Sequence, residues 1–305
     1  MELLRAIESV RSHVLDAVNS IITTLGEETI AIAVLCVIFW CVNKKVAYFI
    51  GVAYFFSGLT VQGMKICFRI DRPWVIDPDF NPVPTAVENA TGYSFPSGHT
   101  QSATALFGSL GAMSKSKPVK AAMFTITALV AISRMYLGVH TPQDVVVSLI
   151  ITYSIIFITS KLFQREKTDD KGTGSRLVIL IIMALFSVVV IIIAATLYSK
   201  QIIDYNYLSD CLKAAGAGVG FAAGMYIERE YIKFPVESKN YIHQIVKYGC
   251  GIAGVLLIKE GMKMIIGTGL VVDPLRYFLM LIWVTVLFPL LIRQFFKRNL
   301  HGGEA

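Results

Sequence analysis

The chain has 305 residues, 55% of them hydrophobic and 16% charged, where soluble globular domains carry about 25% charged residues. That balance excludes disorder and argues against a water-soluble globule, and the apolar residues fall in long runs of the kind a bilayer requires. The formal charge of +7 does not point to nucleic acid, because Lys and Arg collect in short loops between those runs, where they set topology.

Five cysteines, Cys36, Cys41, Cys67, Cys211 and Cys250, are odd in number and scattered. They indicate neither a disulfide framework nor a zinc site. From Met1 to Thr24 the apolar residues recur at three- and four-residue spacing between Glu2, Arg5, Glu8, Arg11 and Asp16, which predicts an amphipathic helix rather than a cleavable signal peptide. It lies along the membrane surface or packs on the protein's own flank.

Nine apolar segments follow, at about Thr29 to Asn43, Val46 to Met64, Thr100 to Ser114, Val119 to Leu137, Val145 to Leu162, Leu177 to Tyr198, Leu212 to Ile227, Ile242 to Ile258 and Leu275 to Ile292. The predicted fold is all-α, a polytopic transmembrane bundle of about nine spans. Its predicted parts are an interfacial helix at 1–24, a six-span core at 25–198 and a three-span extension at 199–305. If the spans alternate, Lys44, Lys45, Lys115, Lys117, Lys120, Lys161, Arg165, Lys167, Lys171, Arg176, Arg293, Lys297 and Arg298 share one side. The positive-inside bias makes that side cytoplasmic and turns the loops 67–96 and 135–141 outward.

Three clusters at span ends face that outer side: Lys65, six residues, Arg72-Pro73; then Pro96-Ser97-Gly98-His99; then Ser133-Arg134, five residues, His140, three residues, Asp144. Ionisable groups at membrane depth cost about 2.5 to 3.5 kcal/mol each on insertion scales, so several kept together call for a common partner. An anion is that partner. Lys65, Arg72 and Arg134 suit phosphate oxygens, Ser97 adds a hydroxyl, and Gly98 admits the backbone N–H groups of a helix start. Covalent phosphoryl transfer needs a nucleophile and a proton donor, which His140 and His99 can supply. Asp144, one helical turn beyond His140, can hold the other ring nitrogen. The stretch Thr141-Pro142-Gln143-Asp144 also reads as a helix cap with a reciprocal acid.

These clusters resemble the three-part signature of the type 2 phosphatidic acid phosphatase superfamily, and every motif position is matched between Lys65 and Asp144. The resemblance implies a phosphohistidine on His140, leaving-group protonation by His99, orientation by Asp144, and phosphoryl contacts from Lys65, Arg72, Ser97, Gly98 and Arg134. It implies no cofactor and no metal. Asp71, Asp77, Asp79 and Glu88 in the outer loop fit no standard cation loop. The nine-span outline is similar to glucose-6-phosphatase and, more loosely, to sphingosine-1-phosphate phosphatases.

The expected activity is hydrolysis of a lipid phosphate monoester or pyrophosphate at the outer face of a bacterial plasma membrane, with membrane lipids as surroundings and no nucleic acid as partner. A soluble sugar phosphate is the alternative substrate, and an anionic-lipid transporter or scramblase is the alternative of another class. Trp74, Phe80 and Tyr93 are expected at headgroup level. Glu228, Arg229 and Glu230 are expected to pair at the inner end of span seven, whose glycines 216, 218, 220 and 224 predict close packing. Lys259, Glu260 and Lys263 are expected as a helix-end ion-pair group at the outer end of span eight.

Overall fold

A computed structural model describes residues 1–88, 90–168, 173–236 and 241–301. Among these the chain is helical and contains no strand. Helices α1 (Glu2–Ser9) and α2 (His13–Thr24) come first. They are followed by α3 (Glu28–Val42), α4 (Lys44–Phe68), α5 (98–113), α6 (Lys117–Tyr136), α7 (Pro142–Thr168), α8 (Thr173–Ser199), α9 (205–232), α10 (241–266) and α11 (272–301). Each of the nine apolar segments thus forms a helix. Five described helices are long and apolar enough to cross a bilayer by length and composition alone, or six if the bent pair α2–α3 counts as one. Part of the difference is length: at 1.5 Å per residue, helices the size of α3 and α5 reach about 23 Å, short of the roughly 30 Å of hydrocarbon.

Local chemistry marks the helix starts. Asn43 opens α4 by accepting from the backbone N–H of Lys45 at 2.9 Å and of Val46 at 3.3 Å, and Ser97 opens α5 by accepting from Thr100 N at 3.4 Å. The α4 helix is the hub of the bundle. Its Tyr48, Phe49, Ile50, Val52, Leu59 and Ile66 are buried against neighbours that include Phe221 of α9 and Phe163 of α7. In contrast, Ile150, Phe157 and Ile158 of α7 and Val188 and Ile192 of α8 point outward. An apolar exterior around a close-packed interior is the pattern of a protein solvated by lipid.

The small residues of α9 serve packing: a side chain on Gly216 would collide with the Pro274 backbone, and one on Gly224 with Thr285. These contacts bring α9 and α11 together. Trp283 fills the matching space at Gly254 of α10.

The predicted N-terminal helix is broken at Val10–Ser12, where Ser12 caps α2 by accepting from Leu15 N. It packs on the protein's own flank. The polar side grips the protein: Arg5 forms a two-oxygen pair with Asp77 at 2.6 to 3.0 Å, Arg11 donates to Tyr136 O at 2.9 Å, and Tyr136 donates to Asp16 at 3.0 Å. The apolar side, with Val14 73% and Ile21 70% exposed, faces away from it. Phe80 departs from its expected place at headgroup level. It is buried beneath the Arg11 guanidinium, because the N-terminal helices cover the loop that carries it.

At the opposite end helices are joined by charge. Lys44 donates to Glu228 at 2.7 Å and to Phe234 O at 2.7 Å, Glu228 also receives Tyr48, and Glu230 pairs with Arg176. Arg229 lies over the Tyr48 ring. Among the described ion pairs none involves Glu260 or Lys263. Lys171 lies outside the described residues, and the side chains of Arg165, Lys167, Lys297 and Arg298 lie outside the description too.

Candidate active site

The end of α4, the start of α5, the end of α6 and the start of α7 meet at one point, bringing the three sequence clusters together. His140 sits in the short connection between α6 and α7, aimed by Gly138, whose φ of +77° favours glycine. A side chain on Gly138 would meet Arg11 and the Phe80 ring at 2.7 and 2.9 Å.

His140 is buried, with 1% exposure. Its Nε2 lies 3.0 Å from Arg72 Nη1 and its Nδ1 lies 3.3 Å from Asp144 Oδ2. A guanidinium only donates, so Nε2 accepts and the ring proton belongs on Nδ1, facing the carboxylate. The Nε2 lone pair therefore points toward the cations. Burial, and then the charges of Arg72, Arg134 and Lys65, push the imidazole well below its ordinary range and keep it neutral.

Asp144 combines the two roles its sequence context suggested. Its Oδ2 accepts from Thr141 N at 2.8 Å while its own N–H donates to Thr141 Oγ1 at 3.3 Å, forming the reciprocal cap of α7. The same oxygen faces His140 and accepts from Ser94 Oγ at 2.5 Å. Capping fixes the carboxylate, and the carboxylate fixes the ring.

The cations are held by neutral oxygens. Arg72 donates to Gly92 O at 2.9 Å, Thr91 O at 2.9 Å and Val139 O at 2.8 Å, and Lys65 donates to Tyr93 O at 2.7 Å. Arg134 donates to Thr23 Oγ1 of α2 at 2.7 Å, and its buried Nε–H has no partner among the described residues. None of the three pairs with a carboxylate among the described residues. Their orientation is set while their charge stays uncancelled, as an anion site requires.

Ser97 is fully buried and accepts from both Thr100 N at 3.4 Å and Thr100 Oγ1 at 3.0 Å, which leaves its own proton to donate. Its backbone is pinned to α7 through Asp144 O at 3.2 Å and Ser148 Oγ at 2.9 Å. A side chain on Gly98 would meet nothing within 4 Å, so the glycine faces open space. His99 is half-buried beside Gly26, whose added Cβ would lie 2.8 Å from His99 O.

Ser94, Thr23 and Gly26 escaped the sequence reading. Ser94 reaches Asp144 from 50 positions away, and Thr23 reaches Arg134 from 111. A serine in a loop and a threonine near a helix end carry no local signal. Only chain reversal brings them to the cluster.

Residues 45–168 match the family profile of the PAP2 superfamily, and residues 212–299 match that of the PAP2 superfamily phosphatase transmembrane extension. The chain belongs to the PAP2 superfamily, and it is an integral membrane phosphatase. A crystal structure of Aquifex aeolicus LpxE is 26% identical, matching 52% of this chain and 93% of that one with a TM-score of 0.46. No curated protein matches the chain.

Proposed function

We propose that the protein hydrolyses a lipid phosphate monoester or pyrophosphate at the outer membrane face, without metal, through a phosphohistidine on His140. The observation that carries this reading is the His140 ring, proton side on Asp144 and lone-pair side on Arg72. Lys65, Arg72, Arg134, Ser97 and the backbone at Gly98 gather the phosphoryl oxygens, and Nε2 attacks phosphorus as the bond to the leaving oxygen breaks. That oxygen takes a proton from His99, for which the bound phosphate supplies the negative charge a protonated ring needs among three cations. Water then attacks the phosphohistidine and gives its proton to His99, releasing inorganic phosphate and restoring neutral His140. Asp144 orients the nucleophile throughout.

Residues 25–198 carry this chemistry in the proposal, with 199–305 as an added bundle. The outward assignment is supported by the clustering of Lys44, Arg176 and Arg293 around the 228–234 segment at the far end of the bundle. Lipid substrates fit a site set at the ends of helices with apolar exteriors.

The test is free-phosphate release by purified protein from phosphatidic acid, a polyprenyl pyrophosphate, a sphingoid-base phosphate and phosphatidylglycerol phosphate, with and without chelator. Release from at least one lipid, unaffected by chelator, is the expected result. Failure of all four lipids, or dependence on a divalent cation, overturns the proposal.

A further inference from the structure

Beside the phosphate cradle, and outside the three motifs, a cavity of about 200 Å³ opens between α3, α4, α5, α9 and α11. Gly98 of the cradle is on its wall, and a side chain there would meet nothing within 4 Å. Part of the lining is apolar, with Phe55 and Leu59. The rest is polar: Glu28 comes from α3, Gln62 from α4, Asp210 and Lys213 from α9, and Tyr277 from α11.

Asp210 and Lys213 form an ion pair at 3.2 Å, one turn apart. Their charges and that of Lys259 act on Glu28, and the charge of Asp210 reaches Lys65 in the cradle. With Tyr54 of α4 and Gln101 of α5, which also line the cavity, two carboxylates, an ammonium, two carboxamides and two phenols provide both donors and acceptors. Groups of this kind are costly beside lipid unless something polar meets them.

We propose that this recess receives the leaving alcohol of the substrate and selects a phosphate monoester whose alcohol carries free hydroxyl groups. The inference rests on the phosphatase reading, since it takes the cradle as the place where phosphorus sits. With phosphorus there, the next atoms of the substrate enter the recess past Gly98. A free hydroxyl can donate to Glu28 or Asp210 and accept from Lys213, Gln62 or Tyr277, whereas a plain alkyl leaving group would cover these polar side chains with methylene groups that offer no hydrogen bond. A site built to hydrogen-bond hydroxyls discriminates strongly against analogues that lack them. Asp210, Lys213 and Tyr277 lie on α9 and α11, which gives the helices after residue 199 a part in specificity. The hydroxyls can belong to a lipid headgroup or to a free sugar phosphate.

The experiment compares kcat/KM for phosphatidylglycerol phosphate, glucose 6-phosphate and dodecyl phosphate, with para-nitrophenyl phosphate as a general phosphatase substrate. The better hydroxyl-bearing substrate is expected to exceed dodecyl phosphate by about tenfold or more. Lys213→Met and Tyr277→Phe, each tested alone, are expected to bring that ratio at least threefold closer to one. Preference for the lipid assigns the recess to a headgroup, and preference for glucose 6-phosphate assigns it to a soluble polyol. A ratio near one in the unsubstituted protein, or one unmoved in every variant that folds, overturns the inference. Hydrolysis of none of the four substrates fails the phosphatase reading itself, and the inference falls with it.

Discussion

Two charge clusters at opposite ends of the helix bundle, inner and outer in the proposed orientation, hold their cations in opposite ways. At the inner end Lys44 meets Glu228 at 2.7 Å and Arg176 meets Glu230, so cations are answered by carboxylates. At the outer end Lys65, Arg72 and Arg134 are answered by backbone carbonyls and a threonine hydroxyl. The carboxylate there, Asp144, turns to His140, Ser94 and Thr141 instead. The inner arrangement cancels charge and joins helices; the outer one fixes direction while keeping charge available. Positive residues at span ends therefore do not by themselves mark a site. The nature of their partners does.

Replacing His140 by Asn tests the outer end most severely, since the nucleophile is lost while the ring's surroundings persist. Phosphate release should fall by about four orders of magnitude, and an acid-labile phosphoenzyme trapped by rapid quench should vanish. At the inner end Glu228→Gln should leave kcat per folded molecule unchanged. It should lower stability by about 3 kcal/mol, read as a drop in the melting temperature of the detergent-solubilised protein, because Lys44 and Tyr48 lose a buried anion.

Arg134→Met completes the contrast. Removing a cation whose Nε–H has no protein partner should cost about 10²- to 10³-fold in kcat/KM while stability holds or rises. Equal destabilisation by Glu228→Gln and Arg134→Met would erase the distinction between the two ends.

The smallest expected effect concerns pH. Attack needs neutral His140, whose pKa lies below the ordinary imidazole value of 6.5, so activity should persist below that pH and fall only as pH drops through the lowered value. Ser94→Ala removes a donor from Asp144, and the more basic carboxylate then favours the imidazolium. The acid limb of the kcat/KM profile should move to higher pH, with kcat down about tenfold. An unmoved limb would limit Ser94 to packing.

What could be read from the residues divides along a physical line. The helices announced themselves through apolar runs, and the three motifs lay at span ends, where alternation gathers them. Asp144 was legible because cap and orienter are both local, at three and four residues from their partners. Ser94, Thr23 and Gly26 were not, since their roles depend on how a loop and an amphipathic helix fold back. The partners of Glu228 and Glu230 on other helices, Lys44 and Arg176, were illegible for a similar reason, since they come from distant parts of the chain that meet only when the helices pack. The number of spans was less legible, because apolar runs such as those of α3 and α5 are marked by composition while crossing a bilayer also needs length.

The α2 helix touches Arg134 through Thr23, and the turn after it touches His99 through Gly26, while Val14 and Ile21 on its other side meet no protein. With α2 placed against the membrane as proposed, acyl chains would upholster that flank of the reaction chamber from outside. Lateral pressure in the leaflet would then become a setting of the enzyme: a thinner or more curved bilayer would slacken the chamber and retune turnover, although no residue facing phosphorus has changed.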